Sequence, residues 1–137
     1  MVHALYETHR ALKDDGLLFD LRPASVNITV GILWPDRFEA LGLRRYNFEH
    51  DYAADIAVGA VLREGRFALE STAEFEFQRH MDALNDLFCW LDENQKPEDP
   101  EANPHLLDLA ARKLQGAPAG TKMMATGPLR LNVLRKK

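Results

Sequence analysis

Polar groups can do chemistry only where the fold holds them in place. Two pairs in this sequence have a placement that invites the question: Asp20 and Arg22 at the end of an apolar run, and His50-Asp51 ahead of an alanine-rich segment. Asp20 interrupts Leu17-Leu18-Phe19-Asp20-Leu21. A carboxylate there either bonds a neighbouring backbone group or arginine, or stands beyond a strand's carboxyl end, where parallel sheets bind ligands. Arg22 could gather with Arg44 and Arg45 at one end of a sheet and hold an anionic group, because guanidinium groups grip such groups in bidentate fashion. The simpler reading of these three is ordinary surface arginine. His50-Asp51 reads first as an N-cap aspartate beside an exposed histidine. The functional alternative is an anion site, since helix N-termini favour negative charge. Asp20, Arg22, His50 and Asp51 are therefore the candidate substrate-binding residues, and no catalytic residue stands out.

Several chemistries lack their residues. The eight glycines are scattered and no two form G-x-G, so there is neither a dinucleotide fingerprint nor a P-loop. None of His3, His9, His50, His80 and His105 falls at H-x-x-x-H spacing, and Cys89 is the one possible thiolate, so no metal site is expected. No G-x-S-x-G elbow occurs. A net charge of −4 supplies no general basic field for nucleic acid, and the one basic cluster, Arg135-Lys136-Lys137, reads as a solvated end. A single cysteine excludes an intramolecular disulfide, and its apolar helical setting predicts a buried structural thiol. No stretch is long enough to span a bilayer, and the N-terminus lacks a signal-peptide layout. The expected setting is cytoplasmic, with neither nucleic acid nor membrane as partner.

The elements that must position these groups follow from periodicity. Leu5, His9 and Leu12 predict a helix over residues 3–13, ended at Gly16. The nearly continuous apolar run 17–21 predicts a strand covered on both faces, as in a parallel sheet, stopped at Pro23. Strict alternation predicts a half-buried strand over 26–34. Residues 36–50 read as a loop or short strand. Asp51 caps a helix through residue 64, ended by Glu64-Gly65. A long strand follows over 67–78, with Glu70, Glu74 and Glu76 on a wet face. That strand calls for an antiparallel partner near a sheet edge, and its carboxylates are either solvated or set to meet a basic partner. Met81, Leu84, Leu87, Phe88 and Leu91 form a helical stripe, followed by an acidic, proline-containing loop at Lys96–Glu101. Asn103-Pro104 starts a helix to about residue 115. A last strand covers about 122–135, with a break expected at Gly127-Pro128. The order is α-β-β-α-β-α-α-β. The expected fold class is α/β, with α+β possible: one domain over 1–137, its mixed sheet of four to five strands packed by helices.

The opening stretch resembles class I S-adenosylmethionine-dependent methyltransferases. In that family a helix bearing an E-x-x-R-v-L-k-p-G-G pattern leads into the fifth strand. Glu7, Arg10, Leu12, Lys13 and Gly16 fit that pattern, and Leu17 to Leu21 fit the strand. Asp14 and Asp15 depart from it, standing where Pro and Gly are usual. Helix 51–64, strand 66–78 and the final strand match the order of the family's fifth helix, sixth strand and antiparallel seventh strand. Residues 24–50 and the helices 81–93 and 104–115 would be insertions.

The resemblance covers the carboxyl half of such an enzyme. The family's glycine-rich loop and the acidic residue that hold the cofactor would lie before Met1, so no cofactor-binding residue is carried over. The chain alone is expected to bind no cofactor, with S-adenosylmethionine held only if a partner completes the site. The resemblance further implies a methyltransferase-like fragment, inactive alone, acting as a homodimer or as one half of a split enzyme. The alternative is a non-catalytic ligand-binding or interaction module. The strand 17–21 would have one side without a partner. Strand 26–34 folding back onto it, a second copy of the chain, or a separate polypeptide could fill that side.

Overall fold

A computed structural model describes residues 2–45, 48–93 and 105–137. Among them the elements are α1 (Val2–Ala11), β1 (Leu17–Pro23), β2 (Asn27–Leu33), β3 (Phe38–Arg45), α2 (Glu49–Arg63), β4 (Phe67–Met81), α3 (Leu84–Glu93), α4 (His105–Leu114) and β5 (Lys122–Lys136). The sheet runs β1-β5-β2-β3, and β4 also pairs with β5. The Lys96–Glu101 loop and the Asn103-Pro104 helix start lie outside the described residues. The chain forms two compact units. One comprises Met1–Ala24, Phe48–Phe75 and Leu129–Lys137, the other Ser25–Asn47 and Glu76–Pro128.

In the first unit α1 leads through a tight turn into β1. Asp15 takes the left-handed conformation at φ 58°, which aspartate tolerates better than most residues. Gly16 serves by its size: a Cβ there would meet the Lys13 carbonyl oxygen at 2.8 Å. The basic C-terminal residues belong to this turn. Lys136 Nζ donates to the Leu12 carbonyl at 2.7 Å, and Arg135 Nη1 to the Asp15 carbonyl at 3.1 Å. Carbonyls at the end of a helix attract cations, so this stretch is a structural strand end and not the solvated tail expected for it.

β1 pairs antiparallel with β5 from Leu17↔Arg135 to Pro23↔Leu129. Opposed residues share a face, so Leu18 stands beside Leu134 on one face, with Phe19 beside Val133 and Leu21 beside Leu131 on the other. Leu134, Phe67, Val58 and Val61 form the core of this unit, with Leu5, Leu12, Leu18 and Leu62 packed on it. The second face of β1 has no such cover: Phe19 is 61% and Leu21 53% exposed. The expectation of a strand covered on both faces is corrected. α1 and α2 both contribute to the core on the Leu18 face.

In the second unit β2 pairs with β3 and β5. Ile28, Val30 and Ile32 of β2 meet Met123 and Ala125 of β5, Leu87, Trp90 and Leu91 of α3, and Leu106 and Ala110 of α4. The uncertain segment 36–50 supplies β3. Met81 closes β4 as a buried residue instead of opening a helix. β5 is continuous across Gly127-Pro128. α2 begins after Phe48 with no side-chain cap, so Asp51 is not its N-cap. Among the described residues the chain is α+β with five strands, in line with the expected four to five. The sheet is antiparallel and not mixed, however: β1 and β2 both pair antiparallel with β5, and β3 pairs antiparallel with β2.

A β-bulge falls between Val30 and Gly31. A Cβ on Gly31 would collide with the Glu39 carbonyl oxygen and come within 2.7 Å of the Phe38 ring. Backbone cannot yield as a side chain does, so Gly31→Ala is expected to lower stability by about 1–3 kcal/mol in urea denaturation, with the m-value unchanged.

Candidate functional site

Asp20 and Arg22 lie two residues apart on β1 and so share the face that carries Leu18. Arg22 Nε donates to Asp20 Oδ1 at 2.7 Å and Nη2 to Oδ2 at 2.8 Å, a bidentate pair. The same guanidinium reaches α2. Nη2 lies 2.9 Å from Asp55 Oδ1, and Nη1 donates to the Asp51 carbonyl at 3.0 Å. Asn132, opposite Asp20 in the register, donates Nδ2–H to Asp20 Oδ2 at 3.0 Å. Thr72 of β4 donates its hydroxyl to Asn132 Oδ1 at 3.0 Å. A polar chain thus runs from α2 through β1 and β5 to β4, and the Asp20 and Arg22 side chains are only 15% and 17% exposed.

Burial works against the charged form of Asp20. Hydrogen bonds from Arg22 and Asn132, with the charge of Arg22, outweigh it and hold the carboxyl below the usual carboxylate range. The Arg22 guanidinium is held above its ordinary value, first by its hydrogen bond to Asp20, against partial burial, with the charges of Asp20 and Asp55 adding to it. The group is largely self-satisfied. Both Asp20 oxygens accept, and all three Arg22 nitrogens donate.

Three of the four candidate residues therefore meet, though Asp51 does so through its carbonyl. His50 is exposed in the first turn of α2 and takes no part. Asp55, Asn132 and Thr72 escape a reading of the sequence. Asp55 carries a faint signal, one helical turn after Asp51, whereas Asn132 and Thr72 need the strand register. Arg44 belongs to the second unit and is buried there, donating to the Leu91 carbonyl at 2.8 Å with its guanidinium 5.3 Å from the Trp90 ring. Its reading as a surface arginine is corrected; Arg45 is exposed. The glutamate row of β4 does meet a basic partner within the chain. Glu70 pairs with Arg135 at 2.8 Å and Glu74 with Arg130 at 2.9 Å, while Glu76 accepts from Thr126 at 3.1 Å. These partners descend along β5 as β4 ascends, so the two strands run antiparallel.

A pocket of about 240 Å³ in the second unit is lined by Arg79, His80, Met81, Asp82, Asp86, Cys89 and Trp90. Its two carboxylates are engaged locally. Asp82 pairs with Lys122 at 2.6 Å, and Asp86 accepts the backbone N–H groups of Asp82 and Ala83. The half-buried Cys89 Sγ lies 3.6 Å from Asn85 Nδ2. Among the described residues no group of three or more His, Cys, Asp or Glu could hold a metal ion, and no helix is long and apolar enough to cross a membrane. Neither a protein-family model nor a curated protein matches the chain.

The low carboxyl value of Asp20 has a sign that can be measured. A carboxylate whose folded value is depressed stabilises the fold above its unfolded value of ~3.9, and that stability is lost as pH falls through the folded value. Asp20→Ala is expected to cost about 1–3 kcal/mol at neutral pH, leaving Arg22 with Asp55 and the Asp51 carbonyl. Thermal melts of both proteins as a function of pH should show the gap narrowing as the solution is acidified below the ordinary carboxylate range.

Proposed function

We propose that this chain is a methyltransferase-like half fold that holds no S-adenosylmethionine alone and works as a homodimer or as one half of a split methyltransferase. The observation that carries this reading is the strand arrangement of the first unit. α1 leads into β1, α2 leads into β4, and β5 lies between β1 and β4. The resemblance to the carboxyl half of a class I methyltransferase implies this order for its fifth, seventh and sixth strands. The free side of β1 corresponds to the side where that family's fourth strand pairs.

The residues present do not fit an S-adenosylmethionine site. The acidic group on β1 has both oxygens engaged by Arg22 and Asn132, and no glycine-rich loop accompanies it. In this reading the cofactor half is supplied by another polypeptide. A second reading, a non-catalytic interaction module, is favoured by the same self-satisfied network. The setting in both readings is cytoplasmic, in keeping with the free thiol of Cys89.

Calorimetric titration of S-adenosylmethionine into the purified chain is expected to give no binding heat. One-to-one binding at micromolar concentration would overturn the reading. The DNA preceding Met1 decides between the two readings: a glycine-rich half, in frame or adjacent, supports the split enzyme, and its absence leaves the interaction module.

A further inference from the structure

We infer that the free edge of β1 is occupied by a second copy of this chain, paired antiparallel about a two-fold axis at Phe19. The inference rests on the reading of β1 as a strand that needs completion, and it names the occupant.

Among the described residues β1 pairs with β5 alone, so its other edge presents a row of unpaired backbone donors and acceptors. Edges left open in natural sheets are guarded by lysine, proline, bulges or inward charges that resist pairing. β1 has no lysine, its ladder with β5 is regular, and its proline is the last residue of the strand. Its two charged residues do not guard the edge either, because Asp20 and Arg22 neutralise one another and are tied to α2 and β5. What the strand does show to solvent is Leu17, Phe19 and Leu21, at 39%, 61% and 53% exposure.

That row reads the same in both directions about Phe19. Antiparallel pairing about a two-fold axis normal to the sheet opposes residues of the same face, so Leu17 meets Leu21 of the second copy and Phe19 meets its own counterpart. Leu18 then opposes Asp20, whose carboxylate is already satisfied. Neighbouring registers are worse. Centring on Asp20 sets two carboxylates opposite one another and places Leu17 against Pro23. Centring on Leu18 sets Leu21 against Asp15. A one-residue slip would oppose the apolar row to the inner one. Charge and pattern thus select the Phe19 register, which continues β4–β5–β1 across the axis into β1, β5 and β4 of the second copy.

Sedimentation velocity of the purified chain is expected to show a dimer. Phe19→Lys places like charges opposite one another and should weaken the dimer at least ~10-fold, with an unchanged circular dichroism spectrum because Phe19 lies outside the core. Register is read by cross-linking in a Cys89→Ser background. Opposed Cα atoms lie about 4.5–5.5 Å apart, within disulfide range, so Phe19→Cys should oxidise to a covalent dimer. Leu21→Cys should not, because its counterpart is about 13 Å away along the strands. A monomeric wild-type chain overturns the assignment and leaves the split-enzyme reading standing. A dimer that Phe19→Lys leaves intact, or that Leu21→Cys links as readily as Phe19→Cys, overturns it as well. Binding of S-adenosylmethionine by the chain alone would instead remove the reading beneath it.

Discussion

The backbone ladder of β5 is the constraint on which the rest of the structure depends. Residues Leu129–Arg135 pair with β1, Lys122–Thr126 pair with β2, and β4 pairs with the same strand. β5 also supplies a residue to each core, Leu134 to one and Met123 and Ala125 to the other. Proline inside a strand normally removes a ladder hydrogen bond. Pro128 falls between the β2 ladder, which ends at Thr126, and the β1 ladder, which begins at Leu129. Gly127 in the same gap is set by packing, since a Cβ there would come within 2.6 Å of Ile28 Cδ1. The Gly-Pro pair that reads as a break is tolerated because neither of those ladders uses it.

β4 shows how little apolar burial a strand needs when its partner is fixed. Of its fifteen residues only the first and last, Phe67 and Met81, are buried. Between them it is held by backbone pairing and by Arg135, Asn132, Arg130 and Thr126 reaching across from β5. Exposed ion pairs of this kind each contribute little, roughly 0–1 kcal/mol. The two apolar ends therefore act as clamps, and the charge pairs between them chiefly select register.

Strong periodicity was enough to place α1, β1, β2, α2 and β4 to within a few residues. It could not say what covers each face. A nearly continuous apolar run such as 17–21 predicts two covered faces, yet the packed residues of α1 and α2 lie on the Leu18 side. β3 was obscured because Arg44 occupies an inward position opposite Ile28, where an apolar residue is expected. At the site the sequence pointed to Asp20 and Arg22 but not to what engages them. Asn132 lies 112 residues from Asp20 in the chain, and only the strand register brings the two together.

The polar network and the bare edge of β1 are two consequences of one alternation. Even-numbered residues of the strand turn toward the helices, where Leu18 joins the core and Asp20 and Arg22 close on α2 and Asn132. Odd-numbered residues turn outward, and all three within the run are large and apolar. Had the charges been one residue out of phase, they would have stood on the outer face in place of Phe19 and Leu21. Their mutual pairing ties the strand to its own unit and leaves no net charge on it to oppose pairing. A strand built this way is rigid, flat in charge and adhesive on one side, properties that suit an interface strand better than a solvent-facing one.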